Sequence, residues 1–285
     1  MINLTASTRI YALLGHPVGH SFSPCMQNAA FQARQLDAAY LALDVPPNLL
    51  GKTLEVLTGL GWGGLNLTIP HKERVLDHLT RCDDSARLLG AVNTVLFTPE
   101  GPVGYNTDGQ GFLRALDQEF AFSPEGKTVL ILGLGGAGRA VALTLASQGI
   151  QRLLLANRSP GRTETLAEEV RRLFPGLAIE CLDLAAAAKQ AARADLIVQA
   201  TSVGMRTNEP ALLESSCFRS GQLVYDLIYN QTETPIMRAA RQAGAHTANG
   251  LAMLLHQGAC AFQLWTGCPP PIQTMRNALE KAVIS

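Results

Sequence analysis

The sequence predicts an α/β fold arranged in two domains. Short apolar runs of strand length alternate with longer stretches of helical pattern through most of the chain. A segment with Pro, Gly and charge, AFSPEGK at 121–127, interrupts this alternation near the middle. The chain of 285 residues is also longer than one average domain. Together these features favour two α/β domains over one.

Eight apolar runs are predicted strands, and helical patterns separate most of them. Strands that are joined through helices pair in parallel, so we expect parallel sheets covered on both faces. The runs are RIYALLG (9–15), AAYLALDV (38–45), GGLNLTIP (63–70), AVNTVLF (91–97), TVLILG (128–133), RLLLAN (152–157), DLIVQAT (195–201) and LVYDLIY (223–229).

The C-terminal tail is predicted to form two helices, MLLHQGACAFQLW and PIQTMRNALEKAV, separated by the Pro-rich loop TGCPPP. Two helices without a strand do not make a domain, so we expect them to pack onto the first sheet. The predicted first domain is therefore 1–110, completed by 250–285, and the second is 111–249. The alanine-rich segment 182–194 is predicted to be a crossover helix.

Composition excludes several classes of protein. Hydrophobic residues make up 47% of the chain and charged residues 16%, as in a globular enzyme. A formal net charge of +0 provides no long-range attraction to nucleic acid or to an anionic membrane. The N-terminal sequence lacks the pattern of a signal peptide, and the apolar runs are too short to cross a bilayer. We therefore expect a cytoplasmic protein, as a monomer or a homodimer.

The six cysteines and six histidines are dispersed along the chain. They form no CxxC pair and no HExxH pattern. Reduced, unpaired thiols and the absence of a bound metal are the predictions that follow.

A glycine-rich turn follows the predicted strand at 128–133. Its residues are Gly133-Leu134-Gly135-Gly136-Ala137-Gly138, and a helical pattern begins directly after them. Bare amides and the helix dipole at such a position bind a pyrophosphate. A purely structural turn is the alternative, but the strand before it and the helix after it favour a dinucleotide site. The second domain is thus predicted to be a Rossmann-like, doubly wound domain.

The end of the next strand bears on which dinucleotide binds. An NAD enzyme usually has an acidic residue there, which accepts from the ribose 2′-hydroxyl. This chain instead has Asn157-Arg158-Ser159, with Arg162 just beyond. Guanidinium groups and a hydroxyl suit a 2′-phosphate, so we expect NADP. A solvated basic loop is the alternative, and it fits Arg162 better than Arg158.

Ser21 and Ser23 are the first polar cluster of the N-terminal half. Ser23 before Pro24 is typical of an N-cap followed by the first helical residue, in a helix that continues to Arg34. Capping does not explain Ser21. Two hydroxyls beside exposed helix amides would bind a carboxylate.

Further polar residues occupy strand ends in the same half. Asn66 and Thr68 lie on one face of a predicted strand, and Lys72 follows its end. Asn93 interrupts another apolar strand, and Asp108 directly precedes a helix. Taken singly, Lys72 also fits a surface charge and Asp108 an N-cap.

Taken in order, these segments resemble the shikimate dehydrogenase family over nearly the whole chain. The family pattern of Ser-x-Ser-Pro, Asn-x-Thr-x-Pro-x-Lys, Ala-Val-Asn-Thr and Asn-Thr-Asp is matched by Ser21 to Pro24, Asn66 to Lys72, Ala91 to Thr94 and Asn106 to Asp108. The glycine-rich turn and Asn157-Arg158-Ser159 are similar to the NADP site of that family.

The resemblance implies reversible reduction of 3-dehydroshikimate to shikimate with NADPH, a step of chorismate and aromatic amino acid biosynthesis. It implies that Lys72 and Asp108 are the catalytic pair. The implied substrate-binding residues are Ser21, Ser23, Asn66, Thr68, Lys72, Asn93, Asp108, Tyr229 and Gln257. The implied cofactor-binding residues are Gly133, Gly135, Gly136, Ala137, Gly138, Asn157, Arg158, Ser159, Arg162, Thr201, Gly250 and Met253.

The sequence departs from the family pattern at two positions, and it leaves open the substrate, the presence of catalysis and the role of Lys72. Leu67 replaces a common valine, which is a conservative packing change, and Gln199 replaces a common asparagine before the loop from Thr201 to Met205. The alternatives are a quinate/shikimate or aminoshikimate dehydrogenase, and a non-catalytic NADP-binding regulator, which the presence of Lys72 and Asp108 disfavours. Lys72 acts as a base or as an electrostatic stabiliser of an alkoxide, and the sequence leaves both open.

Overall fold

The computed structural model describes residues 4–206 and 208–284. Within it the chain divides into two compact units. The first unit ends at Gly111 and resumes at Leu255, and the second is Phe112–Leu254. The segment 250–254, assigned to the first domain from the sequence, clusters with the second unit.

The first unit contains a six-stranded sheet with the order β2-β1-β3-β5-β6-β4. Its strands are β1 Arg9–Gly15, β2 Ala38–Asp44, β3 Gly64–Leu67, β4 Arg81–Cys82, β5 Thr94–Thr98 and β6 Gly101–Tyr105. Its helices are α1 Ser23–Ala33, α2 Leu50–Gly59, α3 His71–Arg74, α4 Asp84–Leu89, the start of α5 Asp108–Phe120, most of α10 Leu251–Thr266, and α11 Ile272–Ile284.

This sheet is mixed, so the prediction of an all-parallel sheet is wrong for the first unit. Strand β1 pairs in parallel with β2 and β3, but β5 is antiparallel to both of its neighbours. A tight hairpin, in which Thr98 pairs with Gly101, makes β5 and β6 antiparallel. Gly101 has a φ of +119°, which a residue with a side chain rarely adopts. Strand β6 is not predicted from the sequence because Gly and Pro are poor strand formers.

Alternate residues of β1 face opposite sides of the sheet. Leu14 joins an apolar cluster with helix α2 on one side. Tyr11 contacts Phe31 and Trp265 on the other side, with ring centroids 5.0 and 5.2 Å apart. The indole N–H of Trp265 donates to the carbonyl of Val95 at 3.0 Å. Helix α10 therefore packs against the first sheet, whereas α11 packs against helix α1 of the same unit.

The second unit contains a fully parallel six-stranded sheet with the order β12-β11-β10-β7-β8-β9. Its strands are β7 Thr128–Leu132, β8 Arg152–Ala156, β9 Ala178–Leu182, β10 Leu196–Gln199, β11 Leu223–Asp226 and β12 His246–Ala248. Its helices are the rest of α5, α6 Gly136–Ser147, α7 Pro160–Leu173, α8 Leu184–Gln190, α9 Pro235–Gln242 and the start of α10.

This strand order confirms the predicted doubly wound α/β fold. The chain moves outward from β7 in one direction, then returns to β10 and moves outward in the other. In such sheets, ligands bind at the carboxyl ends of the strands where the order reverses. The crevice beside β7 and β10 is therefore the expected dinucleotide site. Within residues 4–206 and 208–284, no helix is long and apolar enough to cross a membrane.

Candidate active site

Lys72 and Asp108 form an ion pair in the first unit. The Lys72 Nζ donates to Asp108 Oδ2 at 2.5 Å. The Asp108 side chain is 13% exposed and that of Lys72 is 32% exposed, so solvent reaches the ammonium more easily than the carboxylate. Lys72 lies in the short helix α3 after strand β3, and Asp108 is the first residue of α5. Two residues far apart in sequence are thus brought together.

Asn93 fixes the carboxylate of Asp108. Its side-chain amide donates to Asp108 Oδ1 at 2.8 Å and to Thr107 Oγ1 at 2.9 Å. Its Oδ1 accepts from the backbone N–H of Thr107 at 2.8 Å. Asn106, which the sequence analysis did not propose as a site residue, accepts from the Asp108 N–H at 3.0 Å. The carboxylate orientation is therefore set before any substrate binds.

Asn66 is also committed to partners within the protein. Its amide donates to the Asn93 carbonyl and to Thr94 Oγ1, both at 3.0 Å. Its Oδ1 accepts from the Tyr40 hydroxyl at 2.7 Å. Both amide hydrogens are used, so one Oδ1 lone pair is left for a ligand. Tyr40 and Thr94 are further members of the network that were missed from the sequence.

The two serines have different surroundings. Helix α1 begins at Ser23 with Phe22 as its N-cap residue, so the prediction that Ser23 is the N-cap is wrong. The hydroxyl of Ser21 instead accepts from the Ser23 N–H at 3.2 Å. Ser23 is buried and hydrogen-bonds the Tyr40 hydroxyl. Burial raises the pKa of Tyr40 well above its usual value, so this group stays neutral.

The polar network is the set of buried or half-buried side chains that these hydrogen bonds connect. It runs from Ser23 through Tyr40, Asn66, Thr94, Asn93 and Thr107 to Asp108 and Lys72. Gln257 of helix α10 is at its margin, since its Oε1 accepts from Asn93 at 3.4 Å. Thr68 follows β3, and its methyl group packs over Gly15. Tyr229 follows β11 in the second unit, and burial raises its pKa.

His71 supports the lysine from within the core. It is completely buried and precedes Lys72 in helix α3. Because a carbonyl only accepts, the contact of 2.8 Å with the Val45 carbonyl means that Nε2 carries the proton. Burial lowers the pKa of His71, so the imidazole stays neutral and fixes the start of α3. In the sequence alone, His71 is one of several dispersed histidines and no pattern marks this role.

The glycine-rich turn of the second unit has the space that a pyrophosphate requires. A Cβ on Gly138 would lie 2.0 Å from the Gly133 carbonyl oxygen, so only glycine permits this packing. Cβ atoms on Gly135 and Gly136 would meet nothing within 4 Å. Helix α6 begins at Gly136 with no side-chain cap and no acidic residue in its first turn, which includes Ala137. Bare helix amides thus face open space, as an anion site needs.

A second helix N-terminus, this one with basic residues beside it, follows strand β8. Arg158 and Arg162 are exposed at the start of helix α7. Ser159 is the N-cap residue without a side-chain cap bond, and the first turn has no acidic residue. Asn157 donates to the Ser159 carbonyl at 3.2 Å, which shapes the loop. These residues fit a phosphate monoester and offer no carboxylate to a ribose hydroxyl.

The remaining predicted cofactor residues follow strands β10 and β12 or lie in the first turn of helix α10. A Cβ on Gly250 would lie 2.2 Å from the Leu227 carbonyl, which explains the glycine. The Met253 N–H donates to the Tyr225 hydroxyl at 3.1 Å. Thr201 packs against Gly133. The residues of 4–206 and 208–284 contain no group of three metal-ligating side chains.

A reversing parallel sheet with bare glycines, and a lysine held by a buried aspartate, define a class: the dinucleotide-dependent oxidoreductases. Three family models match the chain. Residues 13–95 match the shikimate dehydrogenase substrate binding domain, 116–226 match shikimate / quinate 5-dehydrogenase, and 250–280 match the shikimate 5'-dehydrogenase C-terminal domain. The chain belongs to the shikimate dehydrogenase family.

Relatives agree over almost the full length. The shikimate dehydrogenase (NADP(+)) of Moorella thermoacetica is 46% identical, over 99% of this chain and 96% of its own. A structure of shikimate 5-dehydrogenase from Thermus thermophilus in complex with NADP(H) and shikimate is 38% identical, with a TM-score of 0.86 over 96% and 99% of the two chains. A quinate dehydrogenase from Corynebacterium glutamicum in complex with NAD is 31% identical, with a TM-score of 0.89 over 96% and 99%.

Proposed function

We propose that this protein is an NADP-dependent shikimate dehydrogenase, which reduces 3-dehydroshikimate to shikimate in a reversible reaction. The Lys72 to Asp108 ion pair at the end of the polar network is the observation that carries the proposal. Oxidising an alcohol removes a hydride from carbon and a proton from oxygen, so a proton-transfer group must contact that oxygen. Lys72 is half-buried and is held in place by Asp108, so it is assigned as this proton-transfer group.

The reaction balances as shikimate plus NADP⁺ giving 3-dehydroshikimate, NADPH and one proton. Bound NADP⁺ supplies the hydride acceptor. Asp108 holds the Lys72 Nζ in position, and in the reducing direction Lys72 would donate a proton to the new alkoxide oxygen. In the oxidising direction the same amine takes that proton back. Asn93 and Asn106 keep the Asp108 carboxylate in place throughout.

Substrate binding is assigned to the remaining polar residues of the first unit and to Tyr229 of the second. Ser21 and Ser23, beside the N-terminus of α1, would hold the carboxylate. The free lone pair of Asn66 would accept from a ring hydroxyl, with Thr68, Gln257 and Tyr229 as further contacts. Since both amide hydrogens of Asn93 are donated to Asp108 and Thr107, its chief role is to orient the catalytic pair.

Cofactor binding is assigned to the carboxyl edge of the second sheet. The amides of Gly135, Gly136 and Ala137 would bind the pyrophosphate, and Arg158 with Arg162 would bind the 2′-phosphate. Thr201, Gly250 and Met253 would line the nicotinamide side. We further propose that the enzyme works in the cytoplasm as a monomer or homodimer, in the route to chorismate and the aromatic amino acids.

Quinate is the second candidate substrate, because the similarity to the Corynebacterium quinate dehydrogenase also covers nearly the whole chain. Shikimate is preferred here because Ser21 and Ser23 both address a carboxylate that lies in the plane of a ring double bond. Quinate lacks that double bond and carries an added hydroxyl on the same carbon. An aminoshikimate is a further candidate substrate, and comparing it with shikimate would test the contacts to the ring hydroxyls.

Product analysis tests the function directly. The purified chain is incubated with shikimate and NADP⁺, and NADPH is followed by its absorbance while the acid products are separated by chromatography. We expect 3-dehydroshikimate and NADPH in equal amounts, and consumption of NADPH when 3-dehydroshikimate is supplied instead. A folded chain that turns over neither compound in either direction would overturn the proposal.

A further inference from the structure

Gln199 ends strand β10, and its side chain is completely buried. Its Oε1 accepts from the backbone N–H of Thr201 at 2.6 Å. Its Nε2 donates to the Val203 carbonyl at 2.8 Å and to the Thr201 carbonyl at 3.4 Å. The Thr201 hydroxyl in turn accepts from the Val203 N–H at 3.1 Å. Beyond the end of β10, Thr201 and Val203 have no neighbouring strand to pair with among the described residues. The Gln199 side chain instead binds their backbone groups.

The segment held by Gln199 packs directly on the glycine-rich turn. A Cβ on Gly133 would lie 2.4 Å from the methyl carbon of Thr201. A Cβ on Gly138 would lie 3.3 Å from the Cβ of Ala200. Strand β10 pairs with β7, so this contact is at the point where the strand order reverses. Segment 201–203 is thus one wall of the dinucleotide crevice.

The far end of this wall is held independently. The Glu209 carboxylate accepts from the backbone N–H groups of Gly204 at 2.7 Å and Arg206 at 3.2 Å. Gly204 has a φ of +100°, so the chain turns sharply there. Between these two fixed points, Ser202 is exposed while Thr201 and Val203 are half-buried. Segment 201–203 therefore has a defined conformation, in which Ser202 faces solvent.

We propose that Gln199 is a positioning residue for the cofactor, whose amide holds segment 201–203 in the shape that binds NADP(H). That the bound dinucleotide is NADP(H) rests on the proposed function. The existence of the crevice does not depend on it. Without the amide, the Thr201 N–H and the Val203 carbonyl lose their partners, and the segment must rearrange to recover them. Binding would then have to reorder the wall each time, and affinity falls.

Gln222 is a matched control in the same sheet. It is also completely buried, and its amide donates to the carbonyls of Ala191 at 2.7 Å and Ala194 at 2.8 Å. Its Oε1 accepts from the Arg219 N–H at 3.1 Å. It precedes β11, at the amino ends of the strands and so at the edge opposite the crevice. Removing either amide costs comparable hydrogen bonds, but only one of them is beside the cofactor site.

The test compares Gln199→Met with Gln222→Met, because methionine retains the length and volume of the side chain without its hydrogen bonds. NADPH affinity is measured by titration of nicotinamide fluorescence, and stability by thermal unfolding. We expect both variants to lose several degrees of Tm. We expect only Gln199→Met to weaken the Kd for NADPH, by about tenfold or more, which is ~1.4 kcal/mol. The KM for shikimate at saturating NADP⁺ should change less than about threefold.

A second pair covers the case in which methionine prevents folding. Gln199→Asn keeps an amide but shortens it by one methylene, and Gln222→Asn is its control; the same order of NADPH affinities is expected. Unchanged NADPH affinity in a folded Gln199 variant, or an equal loss in the Gln222 variant, would overturn the inference. The titration needs no turnover, so a parent chain that binds NADPH but leaves shikimate unoxidised overturns the proposed function alone.

Discussion

Both oxygens of the Asp108 carboxylate have fixed partners at the scale of single residues. Oδ1 accepts from Asn93 and Oδ2 from Lys72, while Asn106 holds the backbone N–H. An ammonium that is paired in this way loses its freedom before substrate arrives. This distinguishes Lys72 from a mobile surface lysine, and preorganisation of this kind is worth several orders of magnitude in rate.

Replacing Lys72 with alanine tests the proton-transfer role. We expect Lys72→Ala to lower kcat by about a hundredfold or more, the usual scale for a positioned acid or base. The KM for shikimate should change little, because the carboxylate and hydroxyl contacts remain. Steady-state kinetics measures both. Lys52→Ala removes an exposed lysine of helix α2 and should behave like the parent. A kcat for Lys72→Ala close to the parent value would assign Lys72 to the surface.

Arg158 tests the choice of dinucleotide. We expect Arg158→Ala to raise the KM for NADP⁺ by about tenfold or more and to leave that for NAD⁺ nearly unchanged, since only NADP⁺ carries the 2′-phosphate. Arg171→Ala, at the other end of helix α7, is the control and should alter neither value. Equal effects of Arg158→Ala on both dinucleotides would mean that this arginine is structural.

At the scale of elements, a substitution in the first turn of helix α6 should have opposite effects on stability and on NADPH binding. A methyl group on Gly136 would project into open space. Gly136→Ala should therefore raise stability by about 0.5–1 kcal/mol, the usual gain for alanine in a helix. It should also weaken NADPH binding by about tenfold or more, because the methyl group occupies the space of the pyrophosphate.

Fluorescence titration and thermal unfolding check this prediction together. Gly59→Ala is the control, since Gly59 ends helix α2 and a Cβ there also meets nothing within 4 Å. It should leave NADPH affinity unchanged. If Gly136→Ala bound NADPH as tightly as the parent, the pyrophosphate would have to be elsewhere.

The turn after strand β11 is built around a buried carboxylate. Asp226 is fully buried, and its oxygens accept from the Ile228 N–H at 3.0 Å and the Thr234 hydroxyl at 2.6 Å. Burial raises the pKa of Asp226 from 3.8 to about 6, although both hydrogen bonds act in the opposite sense. The folded chain therefore holds this proton more tightly than the unfolded chain does. The stability that this group contributes is complete below about pH 4 and is lost as pH rises through about 6.

Asp226→Asn should remove this dependence on pH. Asparagine can accept from Ile228 and donate to Thr234, so both contacts survive without the buried charge. Relative to the parent, the free energy of unfolding should gain about 2 kcal/mol between pH 4.5 and pH 8, as measured by urea unfolding. Asp117→Asn, at an exposed position of α5, should show no such trend. A parallel pH profile for parent and Asp226→Asn would contradict the raised pKa.

Within the part of the chain that the structure describes, the eight strands predicted from apolar runs are all present, but four others were missed. Strand β4 has only two residues, and β12 has three. Strand β6 contains Gly and Pro, and β9 alternates too weakly to stand out. Short edge strands depend on backbone pairing with a neighbour, and that pairing is a property of the fold and not of the local sequence.

At the scale of the whole molecule, motifs identified the Lys72 to Asp108 pair and the glycine-rich turn, but not the residues that support them. Lys72 and Asp108 belong to patterns that can be read along the chain. Thr94 reaches Asn66 from the neighbouring strand β5, and Tyr40 reaches it from β2, across the intervening strand β1. The two residues are 28 and 26 positions away from Asn66 in sequence. Nothing in the local sequence marks them, because tyrosine and threonine are ordinary strand residues.

We propose that the first unit selects shikimate and that the second unit selects NADP⁺. The most direct test is kcat/KM for the four pairings of shikimate or quinate with NADP⁺ or NAD⁺. We expect shikimate with NADP⁺ to be the best pair and to exceed both single changes by more than about tenfold, or ~1.4 kcal/mol of transition-state binding. Shikimate and quinate within about threefold of each other, or a best pair of quinate with NAD⁺, would contradict the account.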